Sequence, residues 1–327
     1  MIALLLTICA VSFSSAQEEP AELLRLLAAT QKQTASTYDK LSFDASVLTT
    51  NYIEKLGKPL TVKSHYTVVK RSDTTLITRE LHTSILVDEE PAGGGEATYE
   101  ISNEPSVKRV LKTPEYIVIW GEIGFRTVLI YYAEDWQDAL PNYEVNFEFD
   151  YRPVSIMKRC FGLHTPFYSL YEKEGSVAKW YVREFDPDGQ MKVERALPDR
   201  DSNYVVDLRL SLDAESGLVR NVRYQVPHSA SVGTSTVEYT TLALENQELR
   251  VPSRYRYRLT DDTPETEKAI DIDYSNIRDE SAGPPQTLVD LGIPRGTKLS
   301  RVFRDDHIES SYWDGAKRSK LTGDTKR

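Results

Sequence analysis

The side chains able to do chemistry are scattered along the chain. The five histidines, His65, His82, His164, His228 and His307, stand far apart, and no two share the spacing of a helix or strand that would preorganise a metal. Neither HExxH nor paired CxxC occurs, so each histidine is read as a surface or packing residue and no metal or cofactor is expected. Cys160 and His164 would share one face of a helix, the arrangement that activates a thiolate. Gly162 and Pro166 interrupt that helix, and a buried thiol beside aromatic side chains is the expected role. No G-x-S-x-G elbow is present, and the serines of EGSVA and AESGL fall in turns between strands. A carboxylate pair could serve glycoside hydrolysis. The densest groups are Asp186 with Asp188, and Asp261 with Asp262, but Asp-Pro-Asp-Gly is ordinary hairpin chemistry and the remaining positions of a calcium loop are missing. Gly93 to Gly95 precede no helix and make no phosphate cradle.

Aromatic residues offer more. The chain has 19 tyrosines against 9 phenylalanines, and many fall on the apolar side of strand-like stretches. The candidates for a ligand-binding concave face are Leu24, Leu27, Tyr38, Phe43, Tyr66, Trp120, Leu208, Leu210, Tyr255, Tyr257 and Tyr274. Such a face can hold an acyl chain or other apolar ligand while each hydroxyl finds a polar partner. The same residues would equally make a plain core beneath helices. Binding without catalysis is the expectation; the alternative is an exported hydrolase acting on envelope glycan or polymer through paired carboxylates.

These residues must be positioned by one helix and many strands. Over residues 21 to 50 the hydrophobic period changes once. Leu24, Leu27, Ala28, Gln31, Ala35 and Tyr38 follow one helix face, with Leu23 and Leu26 widening it, and Pro20 suits a first helical position. From Leu41, Phe43, Ala45 and Val47 alternate with Ser42, Asp44 and Ser46, as a strand with one buried face requires. A turn at Lys58-Pro59 leads to a second strand, and TLITRELHTSILV, ATYEIS, VKRVLK, EYIVIWG and FRTVLIYYA extend the series, with a flexible turn at PAGGGEA. EYIVIWG is continuously apolar and reads as buried on both faces. Between about 133 and 170 the period breaks into helix candidates, AEDWQDALP and the stretch ending at Gly162, which form a lid over a sheet face.

From residue 177 the strand period returns. AKWYVREF and QMKVERAL make a hairpin, as do VVDLRLSLD and LVRNVRYQV. In VPSRYRYRLT and KAIDIDYSNI the tyrosines and isoleucines face one way; Arg254, Arg256 and Arg258 oppose Asp271 and Asp273 if the strands are neighbours, which gives a solvated salt-bridged face. QTLVDLGIPRGTKLSRVF closes the domain with a turn at Pro294-Arg295-Gly296. The count is about a dozen strands, the pattern of an antiparallel barrel or sandwich, with no fixed repeat that would mark a propeller. The fold class is mainly β (α+β): a large curved antiparallel sheet or unclosed barrel, its concave face covered by the N-terminal helix and short helices.

Residues 2 to 13, IALLLTICAVSF, are uncharged and run into SSAQ, with Ser14 and Ala16 at the small-residue positions of a cut after Ala16. They read as a signal peptide, too short to span a bilayer, and no transmembrane span follows. The expected organisation is a signal at 1 to 16, one β domain at 17 to 310 with a helical insertion at about 133 to 170, and a basic tail at 311 to 327. Export to the periplasm or the extracellular space follows. Mature protein would retain Cys160 alone, which excludes a disulfide framework, and the lack of an Asn-x-Ser/Thr acceptor favours a bacterial source. The net charge of −10 argues against nucleic acid as a partner. Oligomeric state is not read from the sequence.

The order of elements resembles a family. An amphipathic helix ELLRLLAATQKQTASTYDKLSFDASV behind a signal peptide, the hairpin VVDLRLSLDAESGLVRNVRYQV with its acidic turn and glycine, and LENQELRVPSRYRYRL with a turn at Val251-Pro252 look like the periplasmic outer-membrane lipoprotein-sorting carriers of LolA/LolB-like fold. The resemblance implies an unclosed β-barrel with helices plugging its mouth, and the acyl chains of lipids or lipoproteins as partners. On that reading Leu24, Leu27 and Tyr38 point into the concavity beside Val206, Leu208 and Tyr257.

Overall fold

A computed structural model describes residues 24–26, 28–29, 37–38, 40–53, 58–82, 84–87, 99–102, 106–121, 127–136, 179–185, 190–196, 207–213, 218–225, 231–244, 247–260, 268–305 and 307–315. In chain order the strands are β1 (Leu41–Ile53), β2 (Lys58–Arg71), β3 (Thr74–Leu81), β4 (Ser84–Val87), β5 (Tyr99–Ser102), β6 (Ser106–Lys112), β7 (Tyr116–Gly121), β8 (Thr127–Tyr132), β9 (Lys179–Phe185), β10 (Gln190–Ala196), β11 (Asp207–Asp213), β12 (Val219–Gln225), β13 (Val232–Leu244), β14 (Gln247–Thr260), β15 (Lys268–Asp279), β16 (Lys298–Val302) and β17 (Ile308–Tyr312). Apart from the β4–β5 pair, they form one unclosed 15-stranded sheet in the order β17-β16-β8-β7-β6-β3-β2-β1-β15-β14-β13-β12-β11-β10-β9. The mainly β, open-sheet fold class holds.

β1, the strand reached directly from the N-terminal helical residues, stands at the middle of the sheet. It pairs with β2 on one side and with β15 on the other, both antiparallel. β2, β3, β6, β7 and β8 build outward from one edge of β1, and everything from β9 to β15 builds back toward its other edge. Register shifts between Ser42 and Asp44, between Ser211 and Leu212, and between Glu238 and Tyr239 mark bulges, each of which bends its strand and raises the local twist.

One neighbour pair is parallel: β16 lies alongside β8, where an antiparallel sheet was expected throughout. A parallel pair needs a crossover, and residues 280–297 supply it. They leave β15 at the centre, pass under the sheet and re-emerge at its far side. The 3-10 turn Leu288–Leu291 buries Leu288 and Leu291 on the way, and Gly292, at φ 66°, takes the left-handed conformation that ends it. Gln286 fastens the crossing. Its backbone amide donates to Thr74 Oγ1 at 2.9 Å and its side-chain amide to the Val69 carbonyl at 3.2 Å.

The sheet therefore has a core on each face. One comprises Leu24, Ala28, Tyr38, Phe43, Ala45, Val47, Tyr66, Val68, Leu210, Val237, Tyr255, Ile272 and Tyr274 among others. The second lies on the opposite face and gathers Leu111, Tyr116, Val118, Trp120, Val128, Ile130 and Tyr132 around Leu288, Leu291, Ile293, Leu299 and Trp313. β7 contributes to both, Ile117 to the first and Val118 to the second, as its unbroken apolar run requires.

Four local expectations change. Pro59 is inside β2 opposite Tyr52, not in a turn. β3 reaches β2 only from Ser64 to Arg71, so the missing proline amide forfeits no bond on that side. Pro252 is likewise within β14, facing Tyr239 at the β13 bulge, beyond the reach of β15. At the C-terminal end the sheet runs to Tyr312 and Trp313 is buried, past the boundary placed at 310. AEDW is a 3-10 turn, Ala133–Trp136; the rest of the 133 to 170 insertion, the signal segment and the last twelve residues fall outside the described set.

The arginine and aspartate rows pair as the alternation predicts. Arg254 is opposite Asp273 and Arg256 opposite Asp271; the Arg254 Nε donates to Asp273, and Arg258 makes two bonds to the Asp271 carboxylate at 2.9 and 2.8 Å. Exposed pairs of this kind add little to stability. Arg254→Ala should leave the thermal midpoint of unfolding essentially unchanged in a calorimetric scan.

Candidate functional site

The helical residues decide which face is the candidate site. Leu24 and Ala28, one helical turn apart, are 0% and 4% exposed and belong to the first core. Leu26, expected to widen the apolar stripe, is 44% exposed: two residues advance a helix by about 200°, which takes it to the far side. The face bearing these helical residues is made by the odd-numbered positions of β1 from Phe43 to Val47, and register carries that face across the sheet. Ala45 is opposite Tyr66 on β2 and Tyr274 on β15. Val47 is opposite Ile272, which is opposite Tyr255, and Tyr255 is opposite Val237.

Tyr38, Phe43, Tyr66, Leu210, Tyr255, Tyr257 and Tyr274 are all buried in the core of this face together with Leu24. Phe43 and Tyr274 meet edge to face with ring centroids 6.0 Å apart, the geometry favoured by the ring quadrupoles. The hydroxyls find partners. Tyr38 donates to the Arg250 carbonyl at 2.8 Å, and Tyr255 shares a 3.4 Å contact with the buried Ser235 hydroxyl. The Tyr38 bond ties the helical segment to β14, and Arg250 itself is held by Asp213 at 2.8 Å.

Leu27 and Val206 lie outside the described residues. Leu208 is placed by its backbone on β11 opposite Tyr224. Trp120 requires a correction: it faces Arg109 across β6–β7, with the guanidinium 5.0 Å from its ring, in the core on the other face. β7 is apolar at every position from Tyr116 to Trp120, so alternation could not tell which of its two faces meets the helix. Sequence reasoning passed over Val47, Val68, Val237 and Ile272, whose alternation signal was as clear as that of the tyrosines, and also Arg79 and Lys108 on the same face.

Titration is shaped by this burial. Desolvation pushes the Tyr38 phenol up to about 12. A phenol whose folded-state value is raised leaves stability intact below its unfolded value near 10 and costs stability as pH rises from there to the folded value, because the unfolded chain ionises first. Thermal stability should therefore fall between pH 10 and 12, and Tyr38→Phe should flatten that fall when melting is followed by circular dichroism. At pH 7 the same variant loses one hydrogen bond and about 0.5 to 1.5 kcal/mol.

Two neighbouring carboxylates, Asp279 and Glu280, are shifted away from general-acid character. A hydrogen bond from Ser281 holds Asp279 below the usual range, and a hydrogen bond from Arg278 does the same for Glu280; a general acid needs the opposite shift. Asp186, Asp188, Asp261, Asp262, Cys160 and His164 fall outside the described residues. Among the described residues no group of histidine, cysteine, aspartate and glutamate could hold a metal, and no helix is long and apolar enough to cross a membrane. A pocket of about 190 Å³ lies at the strand ends, lined by Thr50, Tyr52, Pro59, Arg258 and Lys268 among others.

No family model matches the chain, and no curated protein matches it. Solved structures do. A DUF1329 family protein from Desulfovibrio piger is 11% identical with a TM-score of 0.39, the match covering 84% of this chain and 97% of that one. A protein domain from Vibrio parahaemolyticus described as outer membrane lipoprotein-sorting is 12% identical with a TM-score of 0.36, over 79% of this chain and 92% of that one. A LolA superfamily protein from Nitrosomonas europaea is 12% identical with a TM-score of 0.34, over 82% and 97%. The candidate site is defined by this chain's own residues.

Proposed function

We propose that the protein is an exported, non-catalytic carrier that holds an acyl or similar apolar chain between its N-terminal helix and the tyrosine-lined face of the sheet. The observation that carries this reading is the contact between helix and sheet. A short apolar stripe, Leu24 and Ala28, and one phenol, Tyr38, cover a row of buried tyrosines contributed by β2, β14 and β15.

The chemistry of that contact suits reversible occupancy. Apolar side chains and a chain of methylenes are interchangeable partners for one another, so a ligand could replace the helix contacts at little net cost. The phenol ring offers an apolar body with a hydroxyl that keeps its own partner. Lipoprotein acyl chains are the partners that the sequence resemblance adds. The uncharged, small-residue-terminated N-terminus supports export to the periplasm or beyond.

Purified full-length protein titrated with a fluorescent fatty acid tests the proposal. Saturable uptake, weakened by Tyr257→Glu in a variant that still melts cooperatively, is the expected result. Absence of uptake together with absence of any lipid adduct in native mass spectrometry would overturn it.

A further inference from the structure

On the helix-bearing face, a cross-strand row runs through six neighbouring strands: Tyr274, Ala45, Tyr66, Arg79, Lys108 and Gly121, on β15, β1, β2, β3, β6 and β7. Its first half is apolar and aromatic. Its second half sets two cations directly opposite each other, an arrangement that destabilises a sheet when nothing neutralises it. Among the described residues nothing does. No ion pair to Arg79 or Lys108 is present, and the positions flanking them on that face, Ser64, Ile77, Leu81, Ser106, Val110 and Ile119, carry no acid. The Arg79 Nε is buried without a hydrogen-bond partner, its guanidinium standing over the Tyr66 ring at 5.6 Å.

Lys108 remains open to solvent, yet desolvation and the neighbouring Arg79 both lower its pKa. Next in the row, a side chain is missing altogether. Where a Cβ would stand at Gly121, the nearest atom is the Val107 carbonyl oxygen at 3.9 Å, so there is room beside the lysine. An orphaned fork donor, an exposed ammonium and adjacent space are the parts from which oxyanion sites are made.

We propose that Arg79 and Lys108 form an oxyanion subsite, and that it receives the carboxylate or phosphate head of an amphiphile whose apolar chain lies over Tyr66 and Tyr274. This rests on the carrier reading for the chain and is independent of it for the head. The two cations neutralise the anion, and the anion removes the repulsion between them. Burial of the Arg79 Nε strengthens the contact relative to one in open water.

The test is isothermal titration of the full-length protein with dodecanoate, dodecyl phosphate, dodecanol and inorganic phosphate, repeated for Arg79→Gln, Lys108→Gln and Arg79→Lys. Dodecanoate or dodecyl phosphate should bind on the order of tenfold more tightly than dodecanol. Each glutamine variant should remove most of that preference without changing dodecanol affinity, and Arg79→Lys should restore part of it. Preference for dodecanoate over dodecyl phosphate, or the reverse, identifies the head group. If inorganic phosphate alone binds and is lost in Arg79→Gln, the subsite stands and the carrier reading falls. If acid, phosphate ester and alcohol bind equally, or the preference survives both glutamine substitutions, the subsite is overturned while the carrier reading stands. Binding of none of the four overturns both.

Discussion

Leu24→Ala should destabilise the protein by about 2 to 5 kcal/mol, whereas Leu26→Ala, two residues along the same helix, should change stability by no more than about 0.5 kcal/mol. The contrast follows from burial alone. Leu24 is fully buried in the core of the helix-bearing face, and Leu26 is 44% exposed. Removing three carbons at Leu24 loses their transfer free energy and leaves a void between helix and sheet that neighbours fill only in part. Such a loss is a large fraction of the 5 to 15 kcal/mol that ordinarily separates folded from unfolded domains. Urea denaturation with an unchanged slope and a lowered midpoint is the expected readout. Equal effects at the two positions would mean that the helix does not dock through this stripe.

Trp120→Ala is the second large effect, about 3 to 5 kcal/mol, and its value lies in what it spares. Trp120 packs with Val118, Ile130, Leu288 and Trp313 on the face opposite the helix, beneath the Arg109 guanidinium. Truncation opens a cavity there and removes a cation–π contact, but touches none of the residues that line the proposed carrier face. Denaturation midpoints should fall steeply, while fatty-acid uptake measured well below the new midpoint should match the parent. Loss of uptake in a folded Trp120→Ala protein would show that the two faces are coupled or that the ligand lies on the other one.

Much of this fold was legible in the sequence because alternation was clean wherever a strand had one wet face. Tyr255 and Tyr257 against Arg254, Arg256 and Arg258, and Ile270, Ile272 and Tyr274 against Asp271 and Asp273, gave both the faces and the pairing of β14 with β15. The same logic failed on β7, where both faces are dry and Trp120 went to the wrong one. It also failed for Leu26, because a cluster of leucines early in a helix blurs the 3.6-residue period. Pro59 and Pro252 were read as turns because a proline in a central strand ordinarily breaks the ladder; only the register shows that each stands where one neighbouring strand has already ended. The parallel β16–β8 pair depends on a crossover between elements some 170 residues apart (Lys298 and Thr127), and no local signal announces such a contact. Arg79 and Lys108 escaped notice for a related reason: each is unremarkable on its own strand and acquires meaning only when β3 and β6 are set side by side.

The central claim is that an apolar chain enters between the helix and the face that bears Leu24, Val47, Val237 and Ile272. Methyl-labelled full-length protein, titrated with a nitroxide-bearing stearic acid and followed by NMR, tests it most directly. Selective broadening of the Leu24, Val47, Val237 and Ile272 methyls, with Leu111, Val118 and Val128 on the other face unaffected, is the predicted result. Broadening confined to Leu111, Val118 and Val128, or none at saturating ligand, would contradict it.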